Sequence, residues 1–206
     1  MNLPNKLTLS RIFLVPVFML FIIPFPDWML TSSVLKFIRP ELIDINNFII
    51  HNGNYIGAAI FIIAASTDKV DGYLARKNKQ VTKFGIFLDP IADKLLITAA
   101  LLALLQRNML SGWAAMVIIA REFIVTGLRL IAAGEGIVLA ASNWGKIKMV
   151  AQTIAVAASL LNNFPISIPF PNFHFDRYAM IVAIIITIYS LFDYLKKNIK
   201  VIGIKN

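Results

Sequence analysis

The chain has 206 residues and a formal net charge of +9, and 58% of its residues are hydrophobic while only 15% are charged. A soluble domain carries about a quarter charged residues, so this composition excludes an ordinary soluble protein. The cations lie between apolar runs, which indicates contact with anionic lipid headgroups rather than with nucleic acid. The chain has no cysteine, which excludes disulfides and thiolate metal sites.

Six apolar stretches follow one another along the chain. They cover residues 7–25, 53–70, 90–106, 113–133, 149–163 and 177–195. A membrane-crossing helix needs roughly 20 predominantly apolar residues, and backbone groups cannot stay unpaired in lipid, so each stretch is predicted to be helical. The predicted fold class is all-α: a polytopic membrane protein, residues 1–206 forming a single domain, with about six transmembrane helices.

Two segments of the first quarter of the chain allow more than one interpretation. The basic start at Lys6 and Arg11 is typical of a signal peptide, but no small-residue cleavage site follows, so we interpret it as an uncleaved helix. Residues 27–54 are predicted to form one long polar connection, because they contain four asparagines. Within it, Trp28–Ile38 is predicted to lie along the membrane interface as a short amphipathic helix.

The distribution of Lys and Arg predicts the orientation in the membrane. In a six-helix arrangement, 16 of the 20 cations lie on the side that holds both termini and the second and fourth connections. Cytoplasmic loops carry an excess of Lys and Arg. The sequence therefore predicts a multi-pass protein of the cytoplasmic membrane, with both termini and the polar second connection facing the cytoplasm.

Four aspartates flank the second connection. Asp68 and Asp71 are three residues apart, Asp89 and Asp93 are four apart, and such pairs share one face of a helix. Two helices joined by a short link at residues 77–82 would bring the four carboxylates together. Clustered anions near lipid are costly and repel one another, and a divalent cation removes both problems. Hard oxygen ligands favour Mg²⁺ or Mn²⁺ over zinc.

Each aspartate also has a structural interpretation. Asp89 precedes a proline and could be a helix N-cap, and Asp68 and Asp93 each adjoin a lysine, as interfacial charges do. All four together favour the metal site, because small residues are interspersed among them. Such residues let a flat nucleotide approach the backbone; they are Gly72, Ala75 and Gly85.

The pattern D-x2-D-G-x2-A-R-x8-G-x3-D-x3-D over residues 68–93 resembles the signature of the CDP-alcohol phosphatidyltransferase family. Two further stretches, residues 2–11 and 121–152, resemble the members that use glycerol 3-phosphate as the acceptor. The resemblance implies transfer of the phosphatidyl group from CDP-diacylglycerol to sn-glycerol 3-phosphate, with release of CMP. It also implies six membrane helices around a cytoplasm-facing polar cavity, and a homodimer.

The resemblance implies roles for individual residues. Two Mg²⁺ or Mn²⁺ ions would be held by Asp68, Asp71, Asp89 and Asp93, and Asp93 would also be the general base. The CDP-diacylglycerol-binding set would be Asn5, Thr8, Gly72, Ala75, Arg76, Thr82 and Gly85. A dianionic acceptor needs further cations, and those available on the cytoplasmic side are Arg121, Arg129, Lys146, Lys148 and Lys83. Lys146 and Lys148 could instead serve only the topology.

Other functions remain open at this stage. A cation transporter could use intramembrane aspartates, although the repeats and broken helices expected of one are missing from this sequence. A non-catalytic membrane scaffold would have no use for the small residues beside the aspartates. Within the family, the alternatives are enzymes of the same fold that use another acceptor, such as serine or phosphatidylglycerol.

Overall fold

The computed structural model describes residues 3–77, 83–134, 136–137, 139, 142–164, 166 and 168–198, with residues 3–7, 68–77, 83–90 and 93 described by their backbone alone. Every regular element in these ranges is a helix, which confirms the all-α class. The elements are α1 (Leu3–Ile22), α2 (Asp27–Thr31), a 3₁₀ turn (Lys36–Ile38), α3 (Arg39–Lys77), α4 (Lys83–Gln106), α5 (Gly112–Gly134), α6 (Asn143–Leu160) and α7 (Phe175–Lys197).

Each of the six predicted apolar stretches corresponds to one long helix, namely α1 and α3–α7. Within the described residues, two segments are long and apolar enough to cross a membrane: Lys36–Thr67, which is mostly α3, and Phe175–Lys197, which is α7. α1 and α4 contribute the shorter apolar segments Thr8–Ile22 and Lys94–Gln106. These helices are those expected of a membrane protein.

The predicted long connection at residues 27–54 is wrong in its second half. Residues 28–38 form the short helix α2 and the 3₁₀ turn instead of one amphipathic helix, and α3 then runs for 39 residues from Arg39. The polar residues of this half are accommodated within α3, where two side chains contact backbone carbonyls one turn earlier. Asn52 Nδ2 donates to the Phe48 carbonyl at 3.4 Å, and the carbonyl of Asn47 lies 2.8 Å from a ring nitrogen of His51.

A stripe of buried residues at helical spacing holds this first half of α3 in the fold. Leu42, Asn46, Ile49 and Gly53 are buried, and their separations of four, three and four residues put them on one face. The buried Asn46 accepts a hydrogen bond from the backbone nitrogen of Phe25 at 2.7 Å, just beyond the end of α1. Asn46 therefore satisfies a backbone donor in the connection that follows α1, which explains a polar residue on an apolar stripe.

The chain forms two compact units, and the first comprises residues 1–107 with 160–162. In it α1 packs against both α3 and α4. Two glycines of α3 allow the close approach of α1. A Cβ atom at Gly53 would lie 2.5 Å from the Phe21 carbonyl oxygen, and one at Gly57 would lie 2.8 Å from Cδ1 of Ile22.

Arg107, directly after α4, links three helices of this unit. Its Nε donates to the Ile22 carbonyl at 2.7 Å, and its Nη2 donates to the Ile49 carbonyl at 2.6 Å. The Ile22 carbonyl belongs to the last turn of α1, where carbonyls have no partner within the helix. Arg107 thus caps α1 while it contacts the middle of α3.

The second unit comprises residues 108–159 and 163–206. In it α5 packs against α7, and the buried apolar side chains include Ile118, Val125 and Met180. α5 ends in a Schellman motif: Ile137 N donates to the Ala132 carbonyl, and Gly136, at φ +74°, donates to the Ala133 carbonyl. α5 therefore ends at Gly134, and a short connection leads to the start of α6 at Asn143.

Candidate active site

The acidic motif lies on consecutive helices of the first unit. Residues 68 and 71 are in the last part of α3, residues 89 and 93 are in the first part of α4, and the two helices pack against each other. Because α3 ends at Lys77 and α4 begins at Lys83, both pairs belong to the adjoining ends of the two helices. The helical backbone confirms the secondary structure expected around the motif.

The side chains of the four aspartates lie outside the described part of the chain. The same holds for the predicted CDP-binding residues Asn5, Gly72, Ala75, Arg76, Thr82 and Gly85, and for the predicted acceptor residue Lys83. Their roles therefore stay predictions. Among the side chains that the structure does describe, no group of three or more His, Cys, Asp or Glu could hold a metal ion.

Thr8 is the one predicted CDP-binding residue whose side chain is described. It lies on α1 with 1% of its surface exposed, and Arg11, one turn later, is equally buried. Sequence analysis treated Arg11 only as a cation that sets topology. Arginine is almost never fully buried unless it is paired, so Arg11 belongs with the interior polar residues. Its spacing of three from Thr8, inside an apolar run, is the signal that could have identified it.

A second group of polar side chains lies in the other unit, where α5 and α6 are linked by one carboxylate. Arg121 on α5 and Lys148 on α6 are 6% and 7% exposed. Lys148 Nζ donates to Glu122 Oε1, and Arg121 Nη1 lies 3.4 Å from the same oxygen. We call Arg121, Glu122 and Lys148 the shared-carboxylate cluster. It contains two cations and one anion.

Helix α7 completes the surroundings of this cluster. Arg121 Nη2 donates to Ser190 Oγ at 2.8 Å. Lys148 Nζ donates to Gln152 Oε1 at 3.2 Å, and Gln152 Nε2 donates to Thr187 Oγ1 at 2.9 Å. Arg121 therefore contacts α7 directly through Ser190, and Lys148 is linked to α7 through Gln152 and Thr187.

The first turn of α6 lies beside the guanidinium of Arg121. Gly145 N donates to Ser142 Oγ at 3.1 Å, the N-cap bond typical of serine at this position. A Cβ atom built at Gly145 would lie 3.6 Å from Arg121 Nη2. Among the described residues, the buried Nε of Arg121 has no hydrogen-bond partner.

The remaining predicted acceptor residues with described side chains, Arg129 and Lys146, are both exposed. Arg129, two turns beyond Arg121 on α5, donates through Nε to Tyr194 Oη at 3.2 Å, and its guanidinium carbon lies 5.6 Å from the Tyr194 ring centroid. Lys146 is exposed. The structure thus brings Arg121 and Lys148 together, sets Arg129 against α7 and leaves Lys146 at the surface.

Three residues of α7 were not identified by sequence analysis: Thr187, Ser190 and Tyr194. All three are buried, with at most 1% of the surface of each residue exposed. Their signal was present in the sequence. They are polar positions in a largely apolar helix, and their spacing of three and four residues puts them on one face.

Comparisons with known proteins show which family the sequence matches. A family model described as CDP-alcohol phosphatidyltransferase matches residues 1–189. The CDP-diacylglycerol–glycerol-3-phosphate 3-phosphatidyltransferase of Bacillus subtilis (strain 168) is 47% identical over 96% of this chain and 95% of its own length. Proteins of the same name from Haemophilus influenzae and Rickettsia felis are each 35% identical over 95% of this chain, covering 92% and 96% of their own lengths.

Proposed function

The chain belongs to the CDP-alcohol phosphatidyltransferase family, and from that premise we propose that it transfers the phosphatidyl group of CDP-diacylglycerol to sn-glycerol 3-phosphate. The products are phosphatidylglycerophosphate and CMP, so the reaction is a step of phospholipid synthesis. The acceptor is suggested by the name shared by the relatives, of which the first is 47% identical to this chain over nearly its whole length.

One observation carries the chemistry: an intact four-aspartate motif on the adjoining ends of two packed helices, α3 and α4. Four carboxylates in so small a span are a hard-oxygen donor set, which fits Mg²⁺ or Mn²⁺. We assign two such ions to Asp68, Asp71, Asp89 and Asp93. When bound, the ions supply Lewis-acid stabilisation of charge on the diphosphate oxygens.

The chain's own residues carry the proton and the leaving group. Asp93 takes the proton from the free primary hydroxyl of glycerol 3-phosphate. The hydroxyl oxygen then bonds to the phosphatidyl phosphorus, and the bond from that phosphorus to the CMP oxygen breaks. Arg76 stabilises the negative charge that CMP carries away. A positioned base of this kind accelerates proton transfer by about 10²–10⁴-fold.

The nucleotide half of the donor contacts the residues that surround the aspartates in the chain. Gly72, Ala75 and Gly85 leave the backbone open to a flat base and its phosphates. Thr82 and Arg76 bind the diphosphate side, and the Asn5–Thr8 segment of α1 closes over the nucleotide. The packing of α1 against both α3 and α4 supports this assignment.

The phosphate of the acceptor is assigned to the cations of the second unit. Arg121, Arg129 and Lys148 are the cations proposed for a dianionic ligand, and Arg121 and Lys148 are both buried. A guanidinium binds phosphate through two parallel N–H donors, and the free Nε of Arg121 suits that geometry. Lys146 and Lys83 complete the proposed set.

We also propose the membrane arrangement predicted from charge. The six long helices cross the cytoplasmic membrane, residues 1–206 make one domain, both termini and the polar cavity face the cytoplasm, and two copies form a homodimer. The chain has no cysteine, so single substitutions Lys36→Cys and Lys197→Cys can be labelled without background. Only Lys197→Cys should be protected from an impermeant thiol reagent in intact cells.

An acceptor panel tests the reaction itself. Purified protein in detergent is given CDP-diacylglycerol, Mg²⁺ or Mn²⁺, and in separate reactions glycerol 3-phosphate, serine, inositol or phosphatidylglycerol, and released CMP is measured. We expect release with glycerol 3-phosphate, loss with EDTA and recovery with either metal. Turnover with another acceptor but not with glycerol 3-phosphate would overturn the assignment within the family, while metal-independent turnover would overturn the role of the aspartates.

A further inference from the structure

Glu122 is the carboxylate around which the cations of the second unit are arranged. Its Oε1 accepts from Lys148 and lies 3.4 Å from Arg121 Nη1, and its side chain is 16% exposed. The two cations come from different helices, α6 and α5. In a largely dehydrated setting two like charges repel strongly, so a shared counterion is what allows both to be buried together.

The contacts of Lys148 show that its ammonium has a defined direction. Besides Glu122 it donates to Gln152 Oε1, and Gln152 is in turn oriented by Thr187, whose hydroxyl donates to the Ala183 carbonyl at 2.6 Å. Gln152 and Thr187 each accept one hydrogen bond of this series and donate the next. The series therefore fixes the amide orientation of Gln152, and with it the position of Lys148.

We propose that Glu122 is a positioning residue that holds Arg121 and Lys148 at the spacing needed to bind a phosphorylated acceptor. This rests on the proposed function, because it takes Arg121 and Lys148 as ligands of the acceptor phosphate. Glu122 does not contact the acceptor. It acts by preventing the two cations from separating, and it sets the preference for glycerol 3-phosphate over an uncharged alcohol.

The test is the substitution Glu122→Gln, which keeps the shape and one acceptor oxygen but removes the charge. We expect the KM for glycerol 3-phosphate to rise about 10- to 100-fold, the range for losing a hydrogen bond between charged groups. The KM for CDP-diacylglycerol should stay unchanged, and kcat at saturating acceptor should change far less than KM. A merely structural role would not separate the two KM values.

The matched control is Asp193→Asn. Asp193 also holds a lysine, Lys197, at 2.8 Å, but that lysine is largely exposed. This variant should keep both KM values. A double-variant cycle adds a second readout: if Glu122 acts through Lys148, combining Glu122→Gln with Lys148→Met should raise KM by less than the product of the two single effects.

The measurements distinguish a failure of the positioning role from a failure of the proposed function. If wild-type protein uses glycerol 3-phosphate and Glu122→Gln keeps its KM, or if the cycle is multiplicative, the positioning role is wrong and the function stands. If wild-type protein uses only an uncharged acceptor, both are wrong. Should Glu122→Gln fail to give a folded species in size-exclusion chromatography, Glu122→Asp replaces it. That variant keeps the charge but shortens the side chain by a methylene group, so the carboxylate no longer holds both cations at the same spacing, and an unchanged KM for glycerol 3-phosphate there would equally overturn the proposal.

Discussion

The guanidinium of Arg121 on α5 donates to the hydroxyl of Ser190 on α7 at 2.8 Å, and both side chains are buried. This bond and the bond from Arg129 to Tyr194 both join α5 to α7. Of the other guanidinium nitrogens, Nη1 faces Glu122, and the buried Nε has no hydrogen-bond partner among the described residues. Ser190 therefore fixes one corner of an arginine whose opposite edge is assigned to the acceptor.

Arg121→Ala should raise the KM for glycerol 3-phosphate and leave the KM for CDP-diacylglycerol nearly unchanged. Losing one charged hydrogen-bond partner costs about 1.5–3 kcal/mol, or roughly a 10- to 150-fold change in affinity. Arg121→Lys should recover only part of this, because an ammonium cannot reproduce two parallel donors. Steady-state kinetics with each substrate varied in turn measures both constants. Donor binding lost with acceptor binding intact would instead place Arg121 at the nucleotide.

Ser190→Ala isolates the α7 contact. It removes a single neutral partner and leaves Nη2 of Arg121 buried without one, at a cost of about 1–3 kcal/mol. We expect a moderate rise in the KM for glycerol 3-phosphate together with a lower unfolding temperature. Ser142→Ala is the comparison, since Ser142 bonds to the backbone of Gly145 rather than to Arg121. If the position of Arg121 did not depend on Ser190, the KM for glycerol 3-phosphate would be the same in both variants.

Asp89→Ala tests the metal site. Removing one of four shared ligands should reduce turnover more than about 100-fold, the scale for losing a preorganised group that stabilises transition-state charge. The protein should still insert in the membrane and elute as the wild-type species does. Asp44→Ala, a change of an exposed aspartate in the first half of α3, is the control and should keep its activity. A fully active, well-inserted Asp89→Ala protein is incompatible with a metal site built on this residue.

Asp93→Asn separates the base from the ligand. The amide keeps the shape and one coordinating oxygen but cannot take up a proton, so kcat should fall by about 10²–10⁴-fold. Binding of CDP-diacylglycerol, measured directly by equilibrium binding in Mg²⁺, should change much less. Parallel loss of binding and turnover would mean that Asp93 is chiefly a metal ligand and that the proton leaves by another route.

The sequence was sufficient to predict the helices and the motif, because both depend on local order. A membrane helix requires a long apolar run, and residues 68–93 carry an unbroken signature. The start of α3 could not be predicted from polarity, since Asn46 is placed by a tertiary bond to Phe25. The sequence alone does not distinguish an asparagine on a buried helix face from an asparagine in a loop.

The shared-carboxylate cluster was predicted only in part, for a related reason. Arg121 and Lys148 were identified as cations on the cytoplasmic side, but nothing in one sequence shows that a carboxylate on α5 binds an ammonium on α6. That pairing depends on how the helices pack. The polar face of α7 could have been predicted from the spacing of Thr187 and Ser190. Such helical spacing of polar residues is a useful signal in other membrane helices.

Gly53→Ala should destabilise the protein, whereas Gly127→Ala should not. A Cβ atom at Gly53 would lie 2.5 Å from a backbone oxygen of α1, while one at Gly127 would have no described atom within 4 Å. Overpacking costs about 1–3 kcal/mol, but a free helical glycine replaced by alanine gains roughly 0.5–1 kcal/mol. The three tryptophans allow unfolding to be followed by intrinsic fluorescence. Equal melting temperatures for the two variants would contradict the close contact of α1 with α3.

Arg107→Lys should lower stability without changing either KM. Arg107 covers carbonyls of α1 and α3 that are 85 and 58 residues away in sequence, and its side chain is half-buried. Burial lowers the pKa of the Arg107 guanidinium, yet arginine stays charged in proteins, so the substitution tests geometry rather than charge. A lysine reaches one of these carbonyls but not both, and each lost bond to a charged group costs about 1.5–3 kcal/mol. Arg39→Lys is the matched control, because the described bonds of Arg39 go to the nearby carbonyls of Thr31 and Ser32. A melting temperature that is lower in Arg107→Lys but unchanged in Arg39→Lys would identify Arg107 as the link between α1, α3 and α4. A melting temperature that is lower only in Arg39→Lys would assign the stability to the α2 region instead.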